Sequence, residues 1–134
     1  MMSDNPIVRS FGLAAAACED LTPLVYHRLE REHPEIQTMF RTNGSDLVKG
    51  SMLAFAIEAI LGLAGPRSGK FRMIECEVLS HDAYGTPRHL FFAFFGAIAD
   101  TLRELLDNDW SPDMESAWSK LLREIECLIE PGEA

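Results

Sequence analysis

Apolar residues recur at intervals of three and four along almost the whole chain, a spacing typical of amphipathic α-helices. The pattern is clearest near the end, where Met114, Trp118, Leu121, Ile125 and Leu128 form one stripe. No stretch shows the alternation of apolar and polar residues that is expected of a half-buried strand. The sequence therefore predicts an all-α fold.

Residues that favour helix ends divide this pattern. Thr22 followed by Pro23, and Ser111 followed by Pro112, each predict a side-chain cap with proline at the first helical position. Gly65-Pro66 predicts the end of a helix that begins near Asp46. Together these signals predict about seven helices: 7–18, one from 22, a brief turn at 34–40, 46–64, the stretch leading to His81, one from 86 and one from 111.

Length and charge narrow the class of protein. A chain of 134 residues fits one domain, residues 1–134, with a core of its own. The net charge of −9 argues against nucleic acid or an anionic membrane as the main partner.

Met1 to Arg9 does not resemble a signal peptide, and Leu53 to Ala64 is too short to span a bilayer. Cysteines 18, 76 and 127 are too far apart for a CxxC motif, and we expect reduced, mostly buried thiols in a cytoplasmic protein.

The residue that most suggests chemistry is His81. Phe71, Ile74 and Val78 precede it at spacings of three and four, which places the imidazole on the buried stripe of a helix. A buried polar side chain needs a partner. Two interpretations follow: a ligand of haem iron, or a structural histidine bonded to a backbone carbonyl.

Four segments, in this order, resemble the single-domain haemoglobins of bacteria and the haem domain of flavohaemoglobins. The stretch from Val25-Tyr26 to Pro34 and Phe40 is similar to that family's "FY..L....P....F" motif, and Leu53 to Ala59 resembles its distal helix. His81-Asp82-Ala83-Tyr84-Gly85 resembles "H..YGV", and 102–118 resembles the family's "TL.E.LG..WT.E...AW" ending. The resemblance is strongest over 21–129, and we expect the tail 130–134 to be disordered. It implies a globin fold, in which helices pack three-on-three around a haem pocket.

The same resemblance implies haem b as cofactor, with His81 as the proximal iron ligand. Phe40 would pack on the haem face, and Val78 would also contact the haem. The other nitrogen of His81 would donate to a backbone carbonyl about one turn earlier, or to the hydroxyl of Ser80.

The family also places a tyrosine and a glutamate behind its proximal histidine, and this chain departs from that arrangement. The position of the tyrosine holds Phe91, which cannot make such a bond, and the glutamate would be Glu133 in the tail. Glu77 is either a substitute carboxylate or a solvated charge.

On the distal side, Tyr26 would donate a hydrogen bond to a bound gas. The alternative is that Val25 points inward and the Tyr26 hydroxyl lies in water. Lys49 falls where the family places glutamine or histidine, and four roles stay open for it: contact with a haem propionate, a hydrogen bond to the ligand, coordination of iron, or exposure to solvent. Leu53, one turn later, would lie over the ligand site.

The resemblance implies reversible binding of dioxygen, carbon monoxide or nitric oxide. The function would be oxygen supply, or nitric oxide detoxification with an external reductase, rather than that of a stand-alone enzyme. A homodimer through the later helices stays open. The alternatives are a non-haem interaction module with the same fold, in which His81 is structural, and a six-coordinate haem redox protein.

Overall fold

The computed structural model describes residues 5–36, 46–64, 74, 76–78, 81 and 87–129. Within these ranges the chain forms five α-helices: α1 Pro6–Ala17, α2 Thr22–Glu32, α3 Asp46–Ala64, α4 Arg88–Leu106 and α5 Pro112–Ile129. Residues 34–36 and Asp107–Asp109 form 3₁₀ turns, and residues 74, 76–78 and 81, here called the His81 segment, are helical. No strand occurs in these ranges, so the prediction of an all-α fold is confirmed.

The residues that begin the helices agree only partly with prediction. At the start of α5, the Ser111 hydroxyl accepts a hydrogen bond from the Met114 N–H at 3.2 Å, as the sequence predicts. The prediction that Thr22 caps α2 is wrong, because Thr22 is already the first helical residue. The carboxylate of Asp20 accepts the Thr22 N–H at 3.0 Å instead.

Helix α4 contacts α1, α2 and α5, and the main core lies where α1, α5 and the later part of α4 meet. Trp118 is fully buried there, with its ring centroid 5.7 Å from that of Phe11. Its indole N–H donates to the Ser10 hydroxyl at 3.0 Å, and that hydroxyl donates to the Ile7 carbonyl at 2.7 Å. The indole and the Ser10 hydroxyl therefore satisfy each other's hydrogen-bonding needs in this region, which we call the closed half.

The expectation that the cysteines are mostly buried is wrong. Cys76 and Cys127 are exposed, and Cys18 is half-buried. The cause is helical register, because the neighbouring apolar residues Val78 and Ile125 occupy the inward positions. Across the part of the chain that the structure describes, none of the helices combines the length and apolar character needed to cross a bilayer.

Candidate functional site

A cavity of about 420 Å³ lies between α2, α3, the early part of α4 and the His81 segment. Its size falls in the range of small-molecule sites, which is about 300–1,000 Å³. Most of the wall is apolar, and four residues carry polar groups: Tyr26, Ser51, Glu77 and His81. The apolar wall consists of Leu29, Ile36, Met52, Phe55, Ala56, Leu90, Phe91, Phe94 and Phe95. We call this region the cavity half.

The imidazole of His81 lies in the cavity wall in a fixed orientation. Its Nδ1 is 2.8 Å from the backbone carbonyl oxygen of Glu77, one helical turn earlier, which is one of the two partners that the sequence predicts. Because a carbonyl oxygen can only accept, Nδ1 carries a proton, and in the neutral tautomer this places the lone pair on Nε2. The ring of Phe91 packs beside the imidazole, with the two centroids 4.8 Å apart. His81 therefore presents an oriented ring of the kind that ligates a metal.

The carboxylate of Glu77 also lies near this ring. Its Oε1 is 3.6 Å from Nδ1 of His81, beyond a direct hydrogen bond but close enough for an electrostatic effect on the Nδ1 proton. The Glu77 side chain is half-exposed and borders the cavity. Glu77 therefore lies beside His81, where a substitute carboxylate would lie, and its side chain is also partly in contact with solvent. Phe91 contributes only packing to the imidazole.

Tyr26 forms part of the opposite wall. Its side chain is buried, with 3% of its surface exposed, and its ring centroid is 5.5 Å from that of Phe94. The hydroxyl donates to the backbone carbonyl of Lys49 at 3.2 Å. Burial raises the pKa of Tyr26 well above its ordinary value, so the phenol stays neutral. Val25 is buried as well but does not line the cavity, so Tyr26 is the residue that faces it.

Lys49 lies behind Tyr26, outside the cavity wall. Its Nζ is 3.4 Å from the carboxylate of Glu30 and 5.4 Å from the centroid of the Tyr26 ring. The ammonium group is therefore engaged by an anion and an aromatic face. Glu30 is not predicted as part of the site, although Tyr26 and Glu30 are four residues apart on α2, a spacing that places them on one helix face.

Two predicted contacts with the ligand or cofactor lie elsewhere. Leu53, which was expected over the ligand site, is instead buried beside a second cleft that Phe11 also lines. The residues of α3 that line the cavity include Met52 and Phe55. Val78 is buried but does not line the cavity. Phe40, Glu133, Ser80 and the tail 130–134 lie outside the described residues.

The remaining histidines lie away from the cavity. His27 and His89 are exposed and His33 is half-buried. In the described ranges, no three side chains of His, Cys, Asp or Glu are grouped closely enough to hold a metal ion. The polar groups of the cavity are the imidazole of His81, the carboxylate of Glu77 and two hydroxyls, in an otherwise apolar wall. That set fits a cofactor that brings the other ligands of its metal, as haem does.

Comparison with protein-family models, with curated proteins and with solved structures gives no match to this chain.

Proposed function

We propose that this protein is a globin that binds haem b and, through it, a diatomic gas. One observation carries the proposal: His81 lies in the wall of a mostly apolar cavity with Nδ1 held by the Glu77 carbonyl, so that Nε2 is the nitrogen that the neutral ring would offer to a metal. The likeness of four segments to bacterial haemoglobins, in the same order, supports it. The all-α architecture agrees with a globin fold of helices packed three-on-three.

In this proposal, each wall of the cavity has a distinct task. His81 would hold the iron from one side, and the Glu77 carbonyl would keep its ring in one tautomer and one orientation. The aromatic side chains of Phe55 and Phe94 would cover the flat faces of the cofactor and exclude water. Haem supplies a ferrous iron that binds dioxygen, carbon monoxide or nitric oxide reversibly.

The position of Lys49 outside the cavity wall argues against its role as a second iron ligand. Lys49 is paired with Glu30, so a role as iron ligand would require that ion pair to break and the amine to lose its proton. A five-coordinate iron is therefore the form that we propose, with Phe40 on the haem face as the resemblance implies. Oxygen supply, or nitric oxide detoxification in the cytoplasm with an external reductase, is the proposed task.

The experiment is absorption spectroscopy of the purified protein after reconstitution with haem, with dithionite and then carbon monoxide added. We expect a Soret band that shifts with carbon monoxide. His81→Ala should weaken haem binding by about a hundredfold or more, because the axial bond is lost. His89→Ala is the matched control, since that exposed histidine lies outside the cavity wall, and it should bind haem as the parent does.

Failure of the folded parent to take up haem would overturn the proposal. It would leave the non-haem interaction module, with His81 as a structural residue, as the better account. A ferrous spectrum with two axial protein ligands before any gas is added would instead indicate the six-coordinate redox protein.

A further inference from the structure

Tyr26 is held on three sides by groups that the structure describes. The Phe94 ring packs against it at 5.5 Å, the Lys49 ammonium lies 5.4 Å from its ring centroid, and the Lys49 carbonyl accepts its hydroxyl proton at 3.2 Å. Backbone and side chain of Lys49 thus hold the same phenol from two directions. This arrangement fixes both the ring and the direction of the O–H bond.

The hydroxyl of tyrosine has one proton to donate. While that proton is directed at the Lys49 carbonyl, the cavity receives no hydrogen bond from Tyr26. Donation to a ligand in the cavity would require the hydroxyl to turn away from α3. The carbonyl would then lose this bond, and losing a part-buried hydrogen bond costs free energy.

Glu30 determines where the Lys49 side chain lies. Glu30 is one turn after Tyr26 on α2, and its carboxylate is 3.4 Å from the Lys49 ammonium. The two side chains are only 22% and 27% exposed, so solvent screens the pair less than it would screen a fully exposed one. The ion pair therefore joins α2 to α3 beside the Tyr26 ring.

We propose that Lys49 and Glu30 are positioning residues that keep the Tyr26 hydroxyl bonded to the α3 backbone, so that a gas in the cavity is released without a hydrogen bond from Tyr26. The consequence for the gas rests on the proposed haem function, whereas the clamp itself does not. Breaking the ion pair releases the ring, and the hydroxyl then turns to the ligand and slows its escape.

The clamp is tested first in the haem-free protein, by a double-mutant cycle on the unfolding equilibrium in urea. Tyr26→Phe should raise the unfolding equilibrium constant about fivefold to tenfold, the usual effect of losing one neutral hydrogen bond. In the Glu30→Gln background the same substitution should raise it about twofold or less, because the hydroxyl bond is already loosened. Glu32→Gln is the matched control, since Glu32 is on the same helix but pairs with Arg28. Equal effects of Tyr26→Phe in the parent and in Glu30→Gln would overturn the clamp.

The consequence for the ligand is tested by stopped-flow measurement of dioxygen release from the haem-loaded protein. Tyr26→Phe alone should change the release rate by less than about twofold, and Glu30→Gln should slow release about fivefold or more. The double variant should return to the rate of the parent. Faster release from Tyr26→Phe alone would overturn the proposal, because it would mean that Tyr26 already bonds the ligand.

The two failures are distinguishable. A parent that takes up no haem overturns the proposed function, while the cycle in the haem-free protein still decides whether the clamp exists.

Discussion

The closed half and the cavity half are built from similar residues but packed differently. In the closed half, Trp118, Ile98 and Leu102 are fully buried against one another's helices. In the cavity half, aromatic residues such as Phe91 and Phe55 remain partly exposed because they border an open space. Apolar composition alone therefore does not determine whether a region closes into a core or keeps a binding site.

Helix α4 belongs to both halves and shows how the difference arises. Its first turns carry the rings that line the cavity, whereas its later turns carry aliphatic residues that pack against α1 and α5. Rings placed on one side of a helix can form a wall without filling the space behind it. Branched aliphatic side chains, in contrast, interdigitate closely. We therefore expect the free energy of unfolding to depend mainly on the closed half.

The largest effect is expected for Trp118→Ala, which should lower the free energy of unfolding by about 3–5 kcal/mol. The substitution removes a fully buried ring and leaves the Ser10 hydroxyl without its donor. Urea unfolding measures the change. Trp110→Ala is the control, since Trp110 is half-buried and bonds the exposed Glu115, and it should cost about 1 kcal/mol. Equal costs for the two variants would contradict the assignment of Trp118 to the buried centre of the closed half.

A sharper contrast lies within α4 itself. Ile98→Ala, in the closed half, should cost about 2–4 kcal/mol, because the site is fully buried and leaves a new void. Phe91→Ala removes a larger side chain, yet it should cost less than about 2 kcal/mol in the haem-free protein, since it widens a cavity that already exists. Thermal and urea unfolding of both variants check this order, and the reverse order would contradict it.

Tyr26 gives the cavity half its own dependence on pH. Burial raises the pKa of Tyr26 above its ordinary value of 10.0, so the neutral phenol contributes its full stability below pH 10. As the pH rises further, the unfolded chain ionises first and the folded state loses stability, by about 1.4 kcal/mol for each pH unit. Tyr26→Phe should remove this part of the alkaline loss. Urea unfolding between pH 9 and pH 11 would show it as a difference in slope, and identical slopes would contradict it.

The smallest effect is expected on the surface of the closed half. The hydrogen bond from Trp110, together with that from Arg103, lowers the pKa of Glu115 below its ordinary value of 4.5. The carboxylate therefore stabilises the fold above pH 4.5, and this contribution disappears as the pH falls through the lowered pKa. Because the group is half-exposed, Glu115→Gln should cost about 0.5 kcal/mol or less at pH 7. Once the pH is below this lowered pKa, the variant and the parent should unfold at nearly the same urea concentration.

The sequence was sufficient to predict the helices and the orientation of His81. The bounds Asp46–Ala64 of α3 and the Ser111 cap follow from local rules of helix geometry, and the structure has both. The carbonyl partner of Nδ1 is one of the two partners that the resemblance implies. Each depends on residues within about one turn of one another.

The sequence was not sufficient to predict which face of α3 meets the cavity. Apolar residues cover every side of this helix, so periodicity could not distinguish Leu53 from Met52 and Phe55. The pairing of Lys49 with Glu30 also depends on how α2 packs against α3, which no local pattern contains. The globin fold and haem binding stay predictions.

The bond between Trp118 and Ser10 makes the closed half optically distinct. The chain has two tryptophans, and only Trp118 is fully buried, whereas Trp110 lies near the surface with the Arg103 guanidinium over its ring at 5.2 Å. An indole in apolar surroundings emits at shorter wavelength than one in contact with water. The short-wavelength part of the tryptophan fluorescence therefore reports on the closed half. The rate at which this fluorescence is lost during unfolding measures how fast α1 separates from α5.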